Sequence, residues 1–168
     1  MRLLPGVVEG LATLQSRFYL VVVSNQSGVA RGFITEPELH EIHSELVGHL
    51  NDQGVILDAL YFCPHLPDGT VAAYKQQCEC RKPKPGMILR AIQDWRLQAE
   101  GSFMVGDSPR DVEAGRRAGI TSLMVGQNPA DSQYSSLGNL VNLMMSGEQR
   151  PTDLDRVASQ IKEEPRKA

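Results

Sequence analysis

The chain has 168 residues, of which 41% are hydrophobic and 22% are charged, and its formal net charge is −3. This composition excludes disorder of the whole chain, and the length predicts one ordinary domain. The slight excess of acidic residues excludes an overall positive potential that would attract nucleic acid or acidic lipid. A bound anion must therefore be held by a local group of residues.

The sequence also bears on the cellular compartment. No apolar run approaches the roughly 18 residues that span a bilayer, and the first six residues lack the hydrophobic stretch of a signal peptide. All three cysteines fall between positions 63 and 80, a poor layout for disulfides and a good one for a metal. We therefore expect a cytoplasmic protein without membrane contact.

The first half of the chain alternates helical and strand patterns. Residues 9–18 predict a helix, and residues 19–23 predict a strand that is covered on both faces, because the run has no polar alternation. The polar residues 24–28 predict a loop. Residues 35–38, Thr-Glu-Pro-Glu, match a capping box. The helix that follows carries one apolar stripe, formed by Leu39, Ile42, Leu46 and Leu50.

The second half continues the alternation. Residues 55–62 predict a strand, and Pro85 predicts the start of a helix. A strand over 103–105, a helix over 109–118 that ends at Gly119 and a strand over 120–125 follow, and residues 140–145 predict a last strand or a short helix. This order predicts an α/β fold with a doubly wound, Rossmann-like parallel sheet.

One loop of this fold, residues 63–80, carries a metal-binding pattern. Cys63-Pro64-His65 and, after twelve intervening residues, Cys78-Glu79-Cys80 provide three thiolates and an imidazole. These four donors are the tetrahedral set that Zn²⁺ prefers in closed structural sites, where the metal holds a loop rather than performing chemistry. The alternative is two buried cysteines and an unrelated histidine, which the convergence of every cysteine on one loop disfavours.

A basic run follows the loop directly. Residues 81–86, Arg-Lys-Pro-Lys-Pro-Gly, place three cations within four residues, and the prolines stiffen the run. Arg81 can donate two parallel hydrogen bonds to a phosphate, and Lys82 can add a localised positive charge. Taken alone, a basic run of this length is usually solvated surface.

Two polar segments follow predicted strands. Residues 24–27, Ser-Asn-Gln-Ser, offer donors for phosphate oxygens, although a hydrogen-bonded turn is an equally good interpretation in isolation. Asp107 follows the strand over 103–105, at the sheet edge where ligands and hard cations bind, whereas Asp111 is interpreted as a complement to a helix dipole. Together with the cations, these residues suit phosphoryl transfer to water with Mg²⁺.

Two further features are given structural interpretations. His40, His43 and His49 lie off the apolar stripe of the helix that begins near Thr35, and we expect all three to be exposed. Residues 68–70, Asp-Gly-Thr, lie inside the loop without a preceding strand, and we interpret them as a turn.

These motifs resemble those of the haloacid dehalogenase (HAD) superfamily, specifically its zinc-containing branch of heptose-1,7-bisphosphate 7-phosphatases and histidinol-phosphate phosphatases. The resemblance covers residues 4–126. It rests on four segments, VVVSNQSGVARG, the CPH…CEC loop, RKPKPGM and MVGDSPRDVEAG.

The resemblance implies roles for individual residues. Ser24 would bind the transferring phosphoryl group, and Lys82 would neutralise the nucleophile and the phosphate. Asp107 would bind Mg²⁺. The remaining implied substrate contacts are Asn25, Gln26, Ser27 and Arg81, with Ser108 near the substrate. The implied zinc ligands are Cys63, His65, Cys78 and Cys80.

One family motif is absent. The family's nucleophile and general acid lie in an Asp-x-Asp-Gly-Thr segment at the end of a first, central strand, and this sequence contains no such segment. The resemblance thus implies a sheet without that strand, whose neighbours keep unpaired edges. Either the chain is a shortened form or a start-site error, or it is an inactive relative retained as a scaffold. We favour the first, because the remaining site residues are in place.

The expected activity is Mg²⁺-dependent hydrolysis of a phosphomonoester, most simply the 7-phosphate of D-glycero-D-manno-heptose 1,7-bisphosphate, through an aspartyl-phosphate. This exact chain is expected to be inactive or weak. The alternatives are a histidinol-phosphate phosphatase and a non-catalytic, zinc-stabilised phosphosugar-binding scaffold. We expect a monomer with an N-terminally incomplete HAD-like domain over residues 1–145 and a polar tail over 146–168.

Overall fold

The computed structural model describes residues 3–126 and 134–146. The strands are β1 (Val21–Asn25), β2 (Ala59–Cys63), β3 (Phe103–Gly106) and β4 (Thr121–Met124). The helices are α1 (Val7–Leu14), α2 (Ser27–Ala30), α3 (Glu36–Asp52), α4 (Gly86–Trp95), α5 (Pro109–Arg117) and α6 (Leu137–Ser146). Most of the predicted tail, from residue 147 on, lies outside these ranges.

The strands form two parallel pairs. Strand β1 pairs with β2 in a register that runs from Val21 opposite Ala59 to Asn25 opposite Cys63. Strand β3 pairs with β4 from Phe103 opposite Thr121 to Gly106 opposite Met124. Within the described ranges, no strand ladder joins the two pairs. The prediction of a parallel α/β fold is confirmed, and its sheet is divided into two halves.

Side-chain packing joins the two halves. One apolar cluster combines α4, β3 and α5 through Ile88, Met104 and Ala114, and Val23 of β1 packs against it. In a second cluster, Leu20, Leu50 and Val55 are covered by residues of α1. Across the described segments, no helix combines the length and the hydropathy that a membrane span requires.

Several local predictions are confirmed. Thr35 begins α3 with a capping box, in which Thr35 Oγ1 accepts the Glu38 N–H at 3.3 Å and Glu38 Oε2 accepts the Thr35 N–H at 2.7 Å. Gly119 follows α5 with a φ of 77°, as the position after a helix end favours. Residues 140–145 lie in helix α6 rather than in a strand. The turn predicted at residues 68–70 lies at residues 67–68 and is closed by the Gly69 N–H, which donates to the Leu66 carbonyl at 3.0 Å.

The prediction of a loop over residues 24–28 is wrong. Ser24 and Asn25 complete β1, because their backbones pair with Phe62 and Cys63, and residues 27–30 form the short helix α2. The small polar side chains misled the prediction, since ladder hydrogen bonds depend on the backbone and override the weak strand propensity of such residues.

The apolar stripe of α3 is also shifted from its predicted position. Ile42 is 41% exposed, and His43 is half-buried with its ring 5.3 Å from the ring of Phe62. Positions 39, 43, 46 and 50 follow the helical period more closely than the predicted set does. The prediction of exposure is confirmed for His40 and His49 and is wrong for His43.

The contact with Phe62 predicts an acid-sensitive contribution to stability. Burial, followed by repulsion from His40, lowers the pKa of His43 below its ordinary value of 6.5. The unfolded chain therefore takes up this proton first as the pH falls, so folding stability is lost below about pH 6.5. We expect His43→Gln to weaken the decline in urea-unfolding free energy between about pH 7.5 and pH 5.5. The exposed His49→Gln variant should keep the wild-type decline, and an equally steep decline in His43→Gln would contradict the assignment.

Candidate phosphate and metal site

The predicted metal ligands converge at the end of β2. The donor atoms of Cys63, His65, Cys78 and Cys80 all lie within 4.8 Å of one another. Sulfur–sulfur distances are 3.5 Å between Cys63 and Cys78 and 3.3 Å between Cys78 and Cys80. The His65 Nδ1 atom lies 3.6 Å from the Cys63 sulfur and 3.3 Å from the Cys80 sulfur.

This arrangement fits a tetrahedral zinc site. Zinc–sulfur bonds of about 2.3 Å imply sulfur–sulfur edges of about 3.8 Å, so these two sulfur–sulfur distances would have to lengthen by about 0.3–0.5 Å. Burial raises the pKa of the Cys63 thiol, because a thiolate is poorly solvated there. A cation held by the cluster would offset that cost and stabilise the thiolate. The four residues can therefore hold a metal, and zinc is the ion that this donor set suits.

The loop over residues 63–80, which we call the metal loop, is anchored to the two preceding helices, α2 and α3. The backbone N–H groups of Thr70 and Val71 donate to the carbonyl of Ala30 at the end of α2, at 2.8 and 3.0 Å. The Tyr74 hydroxyl donates to Glu36 in the first turn of α3 at 2.5 Å, which raises the pKa of Tyr74. The loop is thus fixed on the same side of the molecule as α2.

The basic run begins directly after this loop, and its second residue forms a buried ion pair. Arg81 donates to the backbone carbonyl of His65 at 3.1 Å. The Lys82 ammonium lies 2.8 Å from Asp111 Oδ1 and donates to the backbone carbonyl of Val23 at 2.7 Å. The Lys82 and Asp111 side chains are only 10% and 9% exposed. Lys82 therefore links strand β1 to helix α5, which packs on the other sheet half.

The backbone of Lys82 is held as well. Asn25 Oδ1 accepts the Lys82 N–H at 3.0 Å, and Asn25 Nδ2 donates to the Lys82 carbonyl at 3.0 Å. The two residues are 57 positions apart in the sequence. Asn25, which the resemblance links to a substrate, uses its amide here to contact the backbone of another predicted site residue.

Ser24, near the end of β1, and Gln26, which follows β1, contact each other and the first residue of the metal loop. Gln26 Nε2 donates to Ser24 Oγ at 2.9 Å, and the Gln26 backbone N–H donates to the carbonyl of Cys63 at 2.8 Å. Ser27 is the first residue of α2. The structure thus connects the segment 24–27 both to Lys82 and to the first metal ligand.

Among the described residues, no hydrogen bond joins the Asp107 side chain to this network. Asp107 follows β3, and its side chain is exposed. The next residue, Ser108, precedes α5 and accepts a hydrogen bond from Arg110 Nε at 3.0 Å. An exposed carboxylate at the end of a strand is accessible to a cation, whereas Asp111 is already paired with Lys82.

Sequence reasoning assigned Asp111 too small a role. Asp111 does accept the Ser108 N–H at 3.1 Å, as expected of a residue at a helix start, and it also pairs with Lys82. Gly106 allows this packing, since a Cβ atom there would lie 2.6 Å from Asp111 Oδ2. The signal in the sequence is the glycine before two aspartates four residues apart, which indicates a helix start packed tightly on a strand end.

The geometry favours binding of an anion. A buried ammonium, the Ser24 hydroxyl and the start of α2 lie at the carboxyl end of a parallel strand pair, where ligands of open α/β sheets bind. The ammonium is held by one carboxylate and one carbonyl, so its position is fixed before any ligand arrives. Preorganised charge of this kind is the main protein contribution to phosphoryl transfer.

Comparison with known proteins bears on the kind of ligand. The chain is 42% identical over 121 residues to D-glycero-beta-D-manno-heptose-1,7-bisphosphate 7-phosphatase of Rhodopseudomonas palustris, which covers 71% of this chain and 67% of the relative. It is 45% identical over 116 residues to the protein of the same name from Yersinia pestis, with 68% and 62% covered. The chain thus spans about two thirds of the length of these curated relatives.

Solved structures agree with the sequence relatives. The D,D-heptose 1,7-bisphosphate phosphatase of B. bronchiseptica, crystallised with magnesium and phosphate, superposes with a TM-score of 0.73 at 30% identity. That match covers 86% of this chain and 84% of the other. An HAD-like phosphatase of Mesorhizobium loti gives a TM-score of 0.74 at 28% identity, with 89% and 77% covered.

Family models match most of the chain. The model of haloacid dehalogenase-like hydrolases matches residues 1–119, and a second model, described as HAD-hydrolase-like, matches residues 79–165. The first match covers well over half of the sequence and includes both β1 and the Lys82–Asp111 pair. The chain therefore belongs to the haloacid dehalogenase-like hydrolase family.

Proposed function

We propose that the chain forms the phosphate-binding and metal-loop part of a Mg²⁺-dependent phosphomonoester hydrolase that removes the 7-phosphate of D-glycero-D-manno-heptose 1,7-bisphosphate. The observation that carries the proposal is the buried Lys82 ammonium, held by Asp111 and by the carbonyl of Val23 in β1. The names of the relatives support the substrate. The protein would act as a cytoplasmic monomer, as the sequence and the resemblance suggest.

In this proposal each residue has a distinct task. Lys82 would neutralise the charge of the bound phosphoryl group, and the Ser24 hydroxyl would donate to one of its oxygens. The exposed Asp107 carboxylate would bind Mg²⁺, which supplies positive charge to the phosphate when bound. Arg81 and Ser108 would line the approach of the substrate, and residues 25–27 would keep the end of β1 in place.

The sequence lacks the Asp-x-Asp-Gly-Thr segment that supplies the family's nucleophile. We therefore separate binding from turnover in the test. The 168-residue chain should bind inorganic phosphate and the bisphosphate in the presence of Mg²⁺, while steady-state phosphate release should be far below that of the full-length relatives. Release at rates typical of those enzymes would contradict the second expectation.

Substitution of Lys82 tests the site directly. We expect Lys82→Ala to weaken the binding of inorganic phosphate by about tenfold or more, because a charge-assisted contact is lost. Isothermal titration calorimetry would measure the change, and Lys75→Ala provides the control, since Lys75 is an exposed lysine of the metal loop. Folding of the Lys82→Ala variant must be checked by circular dichroism, because Asp111 is left unpaired. Equal affinities for the folded variant and the wild type would contradict the proposal.

The metal loop gives a separate test. We propose that Cys63, His65, Cys78 and Cys80 bind one structural zinc ion that holds the loop closed and performs no chemistry. Protein purified without chelator should contain about one zinc per chain by elemental analysis, and a chelator should lower its thermal midpoint. Cys80→Ser should lose most of the zinc, whereas His49→Ala should retain it. Far less than one zinc per wild-type chain would overturn the assignment.

A further inference from the structure

We propose that Asn25 is a positioning residue that fixes the backbone of Lys82, and that its effect on phosphate binding is transmitted through Lys82. The contact itself is independent of the proposed function, but its consequence for phosphate rests on the role proposed for Lys82. The inference differs from the expectation drawn from the resemblance, in which Asn25 contacts the substrate.

The geometry identifies Lys82 as the partner of Asn25. The side-chain amide uses its oxygen for the Lys82 N–H and its nitrogen for the Lys82 carbonyl, both at 3.0 Å. Two bonds in opposite directions to one residue define both the distance and the rotation of the amide. The amide plane is therefore determined by Lys82, and its orientation does not depend on a ligand.

Strand β1 thereby holds Lys82 at both ends. Asn25 binds the backbone, and the carbonyl of Val23, two residues earlier, accepts from the ammonium at 2.7 Å. A lysine side chain has four rotatable bonds, so fixing only its ammonium would still allow several side-chain conformations. Fixing both ends restricts Lys82 to side-chain conformations that place its charge between the Val23 carbonyl and Asp111.

The contact with Asn25 also gives Lys82 a direction different from those of the neighbouring cations of the basic run. Arg81 is drawn toward the metal loop by its bond to the His65 carbonyl, and Lys84 pairs with Glu79 at 2.7 Å. Lys82, between them, is the residue that turns toward β1. Without Asn25, the backbone at Lys82 would lose the two bonds that hold this direction.

A double-mutant cycle distinguishes positioning from direct contact. Inorganic phosphate with Mg²⁺ is the probe, and calorimetry on the full chain gives its affinity for the wild type, Asn25→Ala, Lys82→Ala and the double variant. Asn25→Ala should weaken binding by about tenfold. In the Lys82→Ala background the same substitution should have no further effect, because the two residues act as one unit. Additive losses would show direct contact and would overturn the proposal.

Hydrogen exchange at the Lys82 amide tests the contact without phosphate. The Lys82 N–H donates to Asn25 Oδ1, so Asn25→Ala should accelerate its exchange by about tenfold or more. Asn25→Asp keeps an acceptor oxygen and should retain most of the protection. Unchanged exchange in Asn25→Ala would overturn the proposal. Accelerated exchange in a protein whose wild type fails to bind phosphate would instead refute the proposed function and leave the positioning contact established.

Gln15 provides a matched control. Its side-chain amide makes the same kind of two-point contact at the other end of β2, donating to the Gly54 carbonyl at 2.8 Å and accepting from the Ile56 N–H at 3.0 Å. Gln15→Ala should accelerate exchange at Ile56 and leave both Lys82 exchange and phosphate affinity unchanged. A loss of phosphate affinity in Gln15→Ala as large as that in Asn25→Ala would indicate a general loss of stability and would overturn the proposal.

Discussion

The structure depends on one buried ammonium. Lys82 joins the β1–β2 pair to the half that carries α5, through the Val23 carbonyl and the Asp111 carboxylate. No strand ladder joins these halves within the described residues, so this ion pair and the apolar cluster around Met104 connect them. Removing one partner of such a pair costs about 3–5 kcal/mol, because the other charge is left without compensation. The ammonium proposed to bind phosphate therefore also contributes to structural integrity.

The metal loop extends this arrangement to the other side of the site. Its candidate ligands begin at Cys63, the last residue of β2, and end at Cys80, directly before Arg81. The cluster is therefore adjacent in sequence both to the end of the strand and to the basic run. Hydrogen bonds from the loop to Ala30 and Glu36 connect it to α2 and α3. A metal ion held by this cluster would thus restrict the residues that flank the proposed anion-binding region without contacting the anion.

Sequence reasoning predicted the elements better than their boundaries. Helical periodicity, the capping box at Thr35 and the glycine after α5 located most elements, since these signals are local. The convergence of Cys63, His65, Cys78 and Cys80 was also predictable, because their spacing is specific. The extension of β1 through Ser24 and Asn25 was not, since it depends on backbone pairing with β2. The Lys82–Asp111 pair escaped prediction because residues 29 positions apart meet only through tertiary packing.

The close approach of Asp111 to Gly106 has an evolutionary consequence. A side chain at position 106 would overlap Asp111, and Asp111 without Lys82 would be a buried, uncompensated anion. The three positions therefore cannot drift independently. Lineages in which Lys82 is replaced should also replace Asp111 with a neutral residue. Only then can position 106 accept a residue other than glycine. Covariation among these three positions would record whether the ion pair was kept or lost during divergence.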